Sequence, residues 1–191
     1  MQTITALFDD YDNAADAVGE LESMGVPATD LSIIASNADG RHSAAAEDAA
    51  SGAGIGAVMG GAGGLATGLG AVAIPGVGPV VAAGWLAATA AGAAAGAVVG
   101  GATGGIIGAL TDDGVSERDA HVYAEGVRRG GTLVTARVAD DLVEQAQSIL
   151  HASGSVDVGE RRNQYEADGW SGFDPAAGDY RTDRGFARRD R

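Results

Sequence analysis

The residue types that most often carry out chemistry in proteins are few in this sequence and do not cluster. Its three histidines, His42, His121 and His151, lie far apart and lack the spacing of metal ligands, so we expect each at the surface or at a helix cap. There is no cysteine, which excludes disulfides and thiolate ligands. The sequence therefore predicts no metal site.

Acidic pairs and glycine clusters are the remaining candidates for a catalytic or cofactor site. Aspartate pairs stand at 9–10, 112–113 and 140–141, in loops or at predicted helix starts, where carboxylates complement the helix dipole. Gly52, Gly54 and Gly56 approach a dinucleotide-binding fingerprint, but no strand directly precedes them. No serine stands in a nucleophile elbow. We therefore predict no catalytic residue, no cofactor, no small-molecule substrate and no enzymatic activity.

The elements that would position any site follow a division of the chain by charge. Residues 1–48 hold ten acidic residues and one basic residue, and residues 49–111 hold no charged residue. Residues 112–159 hold nine acidic and four basic residues, and residues 160–191 hold seven of each. Because acidic surfaces repel phosphate groups, we do not expect the folded blocks to bind nucleic acid.

The first block, residues 1–40, is predicted to form half of a small domain. Its elements are a strand at Thr3 to Phe8, a helix capped by Asp10 or Asp12 and ended by Gly25, and a strand at Leu31 to Ala35. Ile4, Ala6 and Phe8 share one face of the first strand. Residues 41–49 are predicted to be a linker.

The third block, residues 112–159, is predicted as helix, strand, helix and strand. Its elements are a helix from Ser116 that stops at Gly130, a strand at Thr132 to Val138, a helix capped by Asp140 and ended by Gly154, and a last strand marked by Val156 and Val158. Two strand–helix–strand units that pair in one antiparallel sheet form the ferredoxin-like plan. The predicted fold class is therefore α+β, a ferredoxin-like split βαβ sandwich interrupted by the uncharged segment.

Residues 50–111 are predicted to form an antiparallel helical hairpin with glycine-zipper faces, with helices at roughly 50–74 and 80–110. A spacing of four lines glycines along one helix face, where another backbone approaches closely. The glycines expected to mediate self-association are Gly52, Gly56, Gly60, Gly64, Gly68, Gly92, Gly96, Gly100, Gly104 and Gly108. The hairpin turn is predicted at Pro75, Gly76, Gly78 and Pro79.

The ten zipper glycines weaken these helices, so close packing has to compensate. Each interior helical glycine costs about 1 kcal/mol relative to alanine, and ten cost roughly 10 kcal/mol, comparable with the stability of a whole domain. Helices of about 37 and 46 Å exceed the hydrocarbon core of about 30 Å. Two surroundings for the hairpin therefore stay open, a membrane and a multi-chain assembly. A flexible linker is disfavoured by the lack of charge.

Residues 160–191 mix charges with scattered aromatic side chains and show no periodicity, which predicts a mobile tail. Aromatic residues in such a tail dock onto a partner or onto the protein's own domain. The arginines between Arg184 and Arg191 are candidates to contact an acidic surface, including that of a neighbouring copy.

In the third block, an apolar strand follows Glu125-Gly126-Val127-Arg128-Arg129-Gly130-Gly131, and a helix closes near Gly154 before Val156-Asp157-Val158. With these residues the block resembles bacterial general stress proteins with a heat-induced-stress (YflT-like) domain. The opening strand–helix–strand is similar to the start of the same family, and the uncharged segment resembles glycine-zipper hairpins of bacterial envelope proteins. The resemblance implies stress induction and supplies no functional residues.

Together these patterns predict a non-enzymatic stress-response protein that inserts in or associates with the membrane and self-associates through its glycine faces. No basic cluster followed by an apolar run opens the sequence, so we expect it on the cytoplasmic side of the inner membrane. The expected partners are other copies of the chain and membrane lipid. The alternative is a soluble cytoplasmic scaffold in which the hairpins of many copies pack together.

Overall fold

The computed structural model describes residues 1–37, 70–74, 76–86, 89, 105–177 and 180. Its strands are β1 (Gln2–Phe8), β2 (Leu31–Ser36), β3 (Gly70–Ile74), β4 (Gly78–Gly84) and β5 (Thr132–Val138). Its helices are α1 (Tyr11–Met24), α2 (Ile106–Asp112), α3 (Glu117–Arg128), α4 (Val143–Ala152) and α5 (Val158–Ala167), with a 3-10 turn at Ala28–Asp30. The predicted α+β class is confirmed.

The five strands form one sheet in the order β1-β5-β2-β4-β3, in which every neighbouring pair is antiparallel. The strand of the third block, β5, lies between the two strands of the first block, so the two blocks fold together as predicted. The strands of the uncharged segment extend the sheet beyond β2. Among the described residues, β1 therefore forms one edge of the sheet and β3 the other.

Helices cover both faces of this sheet. On one face α1 and α4 pack over Ile4, Ala6 and Phe8, the three β1 residues that alternation placed together. On the other face α2 and α3 pack over Leu7 and Ile34. Because both faces are covered, all six residues of β2 are buried, which suits its nearly continuous apolar run.

Local sequence signals set most of the helix ends. The carboxylate of Asp10 accepts a hydrogen bond from the Asp12 amide at 2.8 Å, and Gly25 ends α1 with a φ of 106°. The hydroxyl of Ser116 accepts from the Asp119 amide at 3.2 Å at the start of α3. These predicted caps are confirmed, because each satisfies main-chain groups that a helix end leaves unpaired.

The cap predicted at Asp140 is wrong. The helix α4 begins at Val143 without a side-chain cap. The carboxylate of Asp140 lies instead 3.1 Å from the amino group of Met1. The pairing of β1 with β5 brings the amino terminus close to Asp140. The carboxylate therefore pairs with the amino group of Met1 and not with the start of α4.

The predicted helical hairpin is wrong over residues 70–84, where β3 and β4 pair as two strands. The chain does reverse between Ile74 and Gly78, through Gly76 with a φ of 77°. Valines at 72 and 80 interrupt the glycine spacing of four, and β-branched residues on both sides of a tight turn favour strands over helices. Burial of Val80 and Val81 in the sheet adds to that preference.

Most of the predicted zipper lies outside the described residues. This holds for Gly52, Gly56, Gly60, Gly64, Gly68, Gly92, Gly96, Gly100 and Gly104, for Pro75 of the turn, and for the linker at 41–49. Gly108 lies half-buried in α2, within the second predicted arm. No helix among the described residues is long and apolar enough to cross a membrane.

The last predicted strand, at Val156 and Val158, is also wrong. Asp157 caps α5 by accepting from the Glu160 amide at 2.7 Å, and Val158 is already helical. Val156 keeps one strand-like contact, because its amide donates to the carbonyl of Leu7 at 2.8 Å. A capping aspartate directly after Val156 ends the extended backbone before a strand can form.

Residues 160–177 of the segment predicted as a mobile tail pack against the folded core. This segment contains most of α5 and then runs back over α3. Tyr165 and Phe173 are only 5% and 9% exposed, and Phe173 joins the core under α2 and α3. Aromatic burial against the protein's own domain outweighs the polar composition of this segment.

Candidate functional site

A groove of about 770 Å³ runs along the outer edge of β1. Its floor is residues 3–6 of β1. One side consists of the start of α3 together with residues 155–159 and the first turns of α5, and the other is the end of α4. The groove therefore lies where a strand beside β1 would be, and where the prediction had placed the last strand.

The main chain of β1 presents hydrogen-bonding groups to this groove. The carbonyl of Leu7 accepts from the Val156 amide at 2.8 Å, and the carbonyl of Thr5 accepts from the Tyr123 hydroxyl at 3.2 Å. Alternate residues of a strand direct their amide and carbonyl to the same side. The amides of Thr3 and Thr5 and the carbonyl of Thr3 therefore face the groove as well.

The groove has two chemically different walls. On the α4 side Ile4 and Leu150 are apolar, with His151 exposed at the rim. On the α3 and α5 side the guanidinium of Arg162 is paired with the carboxylate of Asp119.

Two polar atoms on this groove are buried without a hydrogen-bond partner in the described structure, the hydroxyl of Thr5 and Nε of Arg162. Buried polar atoms are nearly always satisfied in folded proteins. Both atoms are therefore candidates to bond a group that enters the groove.

Tyr123 in this groove acts as a hydrogen-bond donor. Its ring is buried, and burial raises the pKa of its hydroxyl well above the ordinary value, assisted by the charge of Asp119. The hydroxyl therefore stays protonated at neutral pH and donates to the carbonyl of Thr5. This role is one of positioning the β1 edge.

A second feature is a buried carboxylate that joins two arginines at the end of α3. Glu125 is 1% exposed and accepts from Arg128 Nε at 2.9 Å and from Arg129 Nε at 2.6 Å. A carboxylate removed from water is stable only when charged donors surround it. The cluster of Glu125, Arg128 and Arg129 is called the arginine clamp below.

The arginine clamp holds the C-terminal part of the chain against α3. The Arg129 guanidinium lies 4.1 Å from the ring centre of Tyr165 and 4.8 Å from that of Tyr180. Its Nη1 is 3.3 Å from the carboxylate of Asp168. Stacked guanidinium and aromatic groups with little access to water attract each other by up to about 2 kcal/mol. The clamp therefore attaches the chain after α3 to the end of this helix at three points, Tyr165, Asp168 and Tyr180.

A further ion pair fastens α5 to the end of β1. Arg161 donates to both carboxylate oxygens of Asp9, each at 2.7 Å. This bond holds the pKa of Asp9 below its ordinary value of 3.8. Bidentate pairs of this kind fix orientation as well as distance, so α5 keeps its position beside the groove.

The chemically able residues singled out from the sequence have structural roles where the structure describes them. Nδ1 of His121 accepts from the Phe173 amide at 3.1 Å and so pins the returning chain to α3. Asp113 accepts from Arg137 Nη2 at 2.6 Å, at the C-terminal end of α2 and not at a helix start. No group of three potential metal ligands occurs in the described ranges, and His42 lies outside them.

Sequence reasoning missed both the groove and the arginine clamp. The groove depends on the absence of a strand that the valines at 156 and 158 had suggested. The clamp had a usable signal, because Glu125 precedes Arg128 and Arg129 at the helical spacings of three and four. That spacing is common on exposed helix faces, so burial could not be inferred from it.

Comparisons with known proteins do not assign this fold or its groove to a family. No protein-family model, curated protein or solved structure matches the chain.

Proposed function

We propose that this chain is a non-enzymatic assembly protein whose copies associate through the uncharged glycine-zipper stretches. The α+β core holds the two segments that contain these stretches, residues 38–69 and 87–104, at both of their ends, and the first segment is uncharged from residue 49 onward. The observation that carries the proposal is where those ends lie on β3 and β4.

The first stretch leaves the core at one end of the β3–β4 pair and returns at the other. It begins after Asn37, whose amide donates to the Pro79 carbonyl at 2.8 Å beside the turn. It ends at Gly70, which pairs with Ala82 at the far end.

The attachment points of the second stretch lie in the opposite order along the β3–β4 pair. It begins after Leu86, at the far end of β4. It ends before Gly105, which lies close to Ile74 at the turn. Attachment points in this order favour two antiparallel glycine faces side by side, and small residues on such faces allow close approach of another helix.

The same attachment points disfavour a hairpin that crosses a bilayer. The two ends of β3 are roughly 15 Å apart, whereas a spanning helix needs about 30 Å and leaves its ends on opposite sides. Trp85 lies just before the start of the second stretch, and the Arg137 guanidinium stacks 3.6 Å from its ring centre. Lateral association of copies fits these constraints better, because it needs no movement of β3 or β4.

Lipid contact is the second candidate, favoured by the absence of any charge over residues 49–111. In that case the stretches would lie against the cytoplasmic face of the inner membrane as a peripheral apolar surface. A role in the stress response is the part of the proposal that rests on the sequence resemblance alone.

The finer fold assignment belongs to the same proposal. The order β1-β5-β2 with all neighbours antiparallel is the order of the first three strands of a ferredoxin-like sheet. The helices α1 and α4 lie on one face of these strands, as that plan requires. The chain is then a ferredoxin-like unit whose fourth strand is replaced by the groove and whose sheet is extended by β4 and β3.

Sedimentation velocity in detergent-free buffer tests the association. Gly60→Leu and Gly96→Leu fill the two zipper faces and should shift large particles toward the 18.8 kDa chain. Ala62→Leu and Ala94→Leu add comparable bulk off the glycine faces and should leave particle size unchanged. Equal behaviour of all four variants would contradict association through the glycine faces.

Liposome flotation separates the two candidates. If copies associate with one another, the wild-type chain stays at the bottom of the gradient with neutral and anionic vesicles alike. If the stretches contact lipid, the chain floats with both, because the contact is apolar and not electrostatic. Flotation together with a monomeric chain in buffer would replace the self-association proposal by the lipid one.

A further inference from the structure

The free edge of β1 has a hydrogen-bonding capacity that the described core leaves unused. Val156 supplies one main-chain bond at Leu7. In the described ranges, the amides of Thr3 and Thr5 and the carbonyl of Thr3 have no main-chain partner on the groove side. Proteins cover such edges, because an open edge pairs with any extended chain that reaches it.

The groove has residues on both sides of the β1 edge, which favours a single extended chain over another folded sheet. The walls formed by α3 and residues 155–159 on one side and by α4 on the other rise beside the edge of β1. The edge of a second copy is flanked in the same way, so a single chain reaches β1 more easily than a second β1 edge does. Residues 3–6, before the bond between Leu7 and Val156, extend over roughly 13 Å, which matches a strand of about four residues.

We propose that the occupant is the chain's own C-terminal segment, residues 181–191, paired with β1 in place of a fourth strand. The described chain reaches Tyr180, whose hydroxyl is 3.5 Å from Arg129 Nη1. Arg129 lies ten residues beyond Asp119 of the groove wall, roughly 15 Å along the helix. Eleven extended residues reach up to about 36 Å, enough to cover this distance and the length of the groove.

Charge favours this segment over the rest of the chain. Residues 181–191 hold five arginines and two aspartates, whereas the whole chain has a net charge of −14. One wall carries the carboxylate of Asp119, already paired with Arg162, and that of Asp157, which caps α5. The Arg162 guanidinium keeps an unpartnered Nε for an incoming aspartate. A basic segment with interspersed aspartates meets both charges.

The order of residues in the segment suits the two walls as well. An added strand presents alternate side chains to opposite sides. Gly185 and Ala187 are small enough for the wall that Tyr123 crowds, and Phe186 between them meets the apolar wall of Ile4 and Leu150. Seated in this way, the segment shields the edge of β1 from other extended chains.

Amide hydrogen exchange at Thr3 and Thr5 in the full-length chain tests this proposal. Tethering gives an effective concentration on the order of millimolar, so a segment that binds with an affinity on the order of 100 µM slows exchange about ten-fold. Arg188→Glu combined with Arg189→Glu should remove that protection. Arg188→Lys combined with Arg189→Lys keeps the charge and should retain it.

Two different results of these measurements would overturn the proposal. Equal exchange rates at Thr3 and Thr5 in both double variants would show that the segment does not cover β1. Protection that depends on protein concentration would assign the groove to the segment of a second copy. All measurements are repeated with Gly60→Leu, which separates groove occupancy from association through the zipper.

Discussion

Replacing Glu125 by glutamine tests the most deeply buried charge of the described structure. The carboxylate accepts three hydrogen bonds, two from Arg128 at 2.9 and 3.1 Å and one from Arg129 at 2.6 Å. Glutamine keeps the shape but has no charge, and its amide nitrogen faces a guanidinium donor. Removing one partner of a buried ion pair costs about 3–5 kcal/mol.

The expected loss for Glu125→Gln is at the lower end, about 3 kcal/mol, because the remaining amide oxygen still accepts one bond. For a chain of this length 1 kcal/mol corresponds to roughly 2–4 °C in Tm. The variant should therefore unfold about 6–12 °C below the wild type. Urea denaturation followed by circular dichroism measures the free energy directly, and a thermal scan checks the shift.

Glu166→Gln is the matched control, since Glu166 lies exposed on α5. It should change the free energy of unfolding by less than about 0.5 kcal/mol. Limited proteolysis adds a second reading, because Tyr165 and Tyr180 stack on Arg129 and should be released with it. A Glu125→Gln variant as stable as Glu166→Gln would refute the reasoning about the arginine clamp.

Three other predictions concern single contacts, and urea denaturation measures each of them. Gly126→Val should destabilise the fold by about 1–3 kcal/mol, because any Cβ there meets the buried side chain of Leu7. Gly19→Ala is the control, and it should stabilise the fold by about 1 kcal/mol because nothing lies near its Cβ. Similar effects of the two substitutions would contradict the close packing of α3 on β1. Arg129→Lys should cost about 1–2 kcal/mol because lysine loses the stacking on aromatic rings, and an unchanged free energy of unfolding would argue against that stacking. Asp9→Asn should cost less than about 1 kcal/mol at neutral pH, since Asp9 is 66% exposed. Because the pKa of Asp9 is lower in the folded state than the ordinary 3.8, this difference should shrink as pH falls below that value, and a difference that persists in acid would show another origin.

Signals that act within a few residues were read correctly from the sequence. Asp10 and Ser116 cap helices, and Gly25 ends one, because each effect involves only the adjacent turn of the chain. The alternation of Ile4, Ala6 and Phe8 also survives, since the buried face of a strand is set by its own period.

Features that depend on distant partners could not be read in this way. The glycine spacing of four predicted one continuous helical hairpin through residues 70–84. The pairing of β4 with β2 instead determines that this segment forms strands. Tyr165 and Phe173 lie in a polar, irregular stretch, and their burial depends on Arg129 and α3. Asp140 resembles a cap until the pairing of β1 with β5 brings the amino terminus to it.

The groove could be inferred only after the sheet order was known. Val156 and Val158 have the spacing of a short strand, and the cap at Asp157 overrides it. Nothing within the β1 sequence shows that its outer edge lacks a neighbouring strand. Because β5 pairs with one side of β1, the other side of this strand is left as a candidate site.

A cross-link between β2 and β4 is the most direct test of the proposed assembly, because both zipper stretches are anchored through β4. The chain has no cysteine, so introduced pairs report without background. Ala35 and Val81 are opposite in register and face the same core, so Ala35→Cys combined with Val81→Cys should form a disulfide under mild oxidation.

The control is Ala35→Cys combined with Val80→Cys, whose side chains point to opposite faces of the sheet and should stay reduced. Disulfide formation in the first pair alone is the result that the proposed anchoring predicts. A first pair that stays reduced, or equal cross-linking of both pairs, would contradict it and return residues 70–84 to a helical hairpin outside the core.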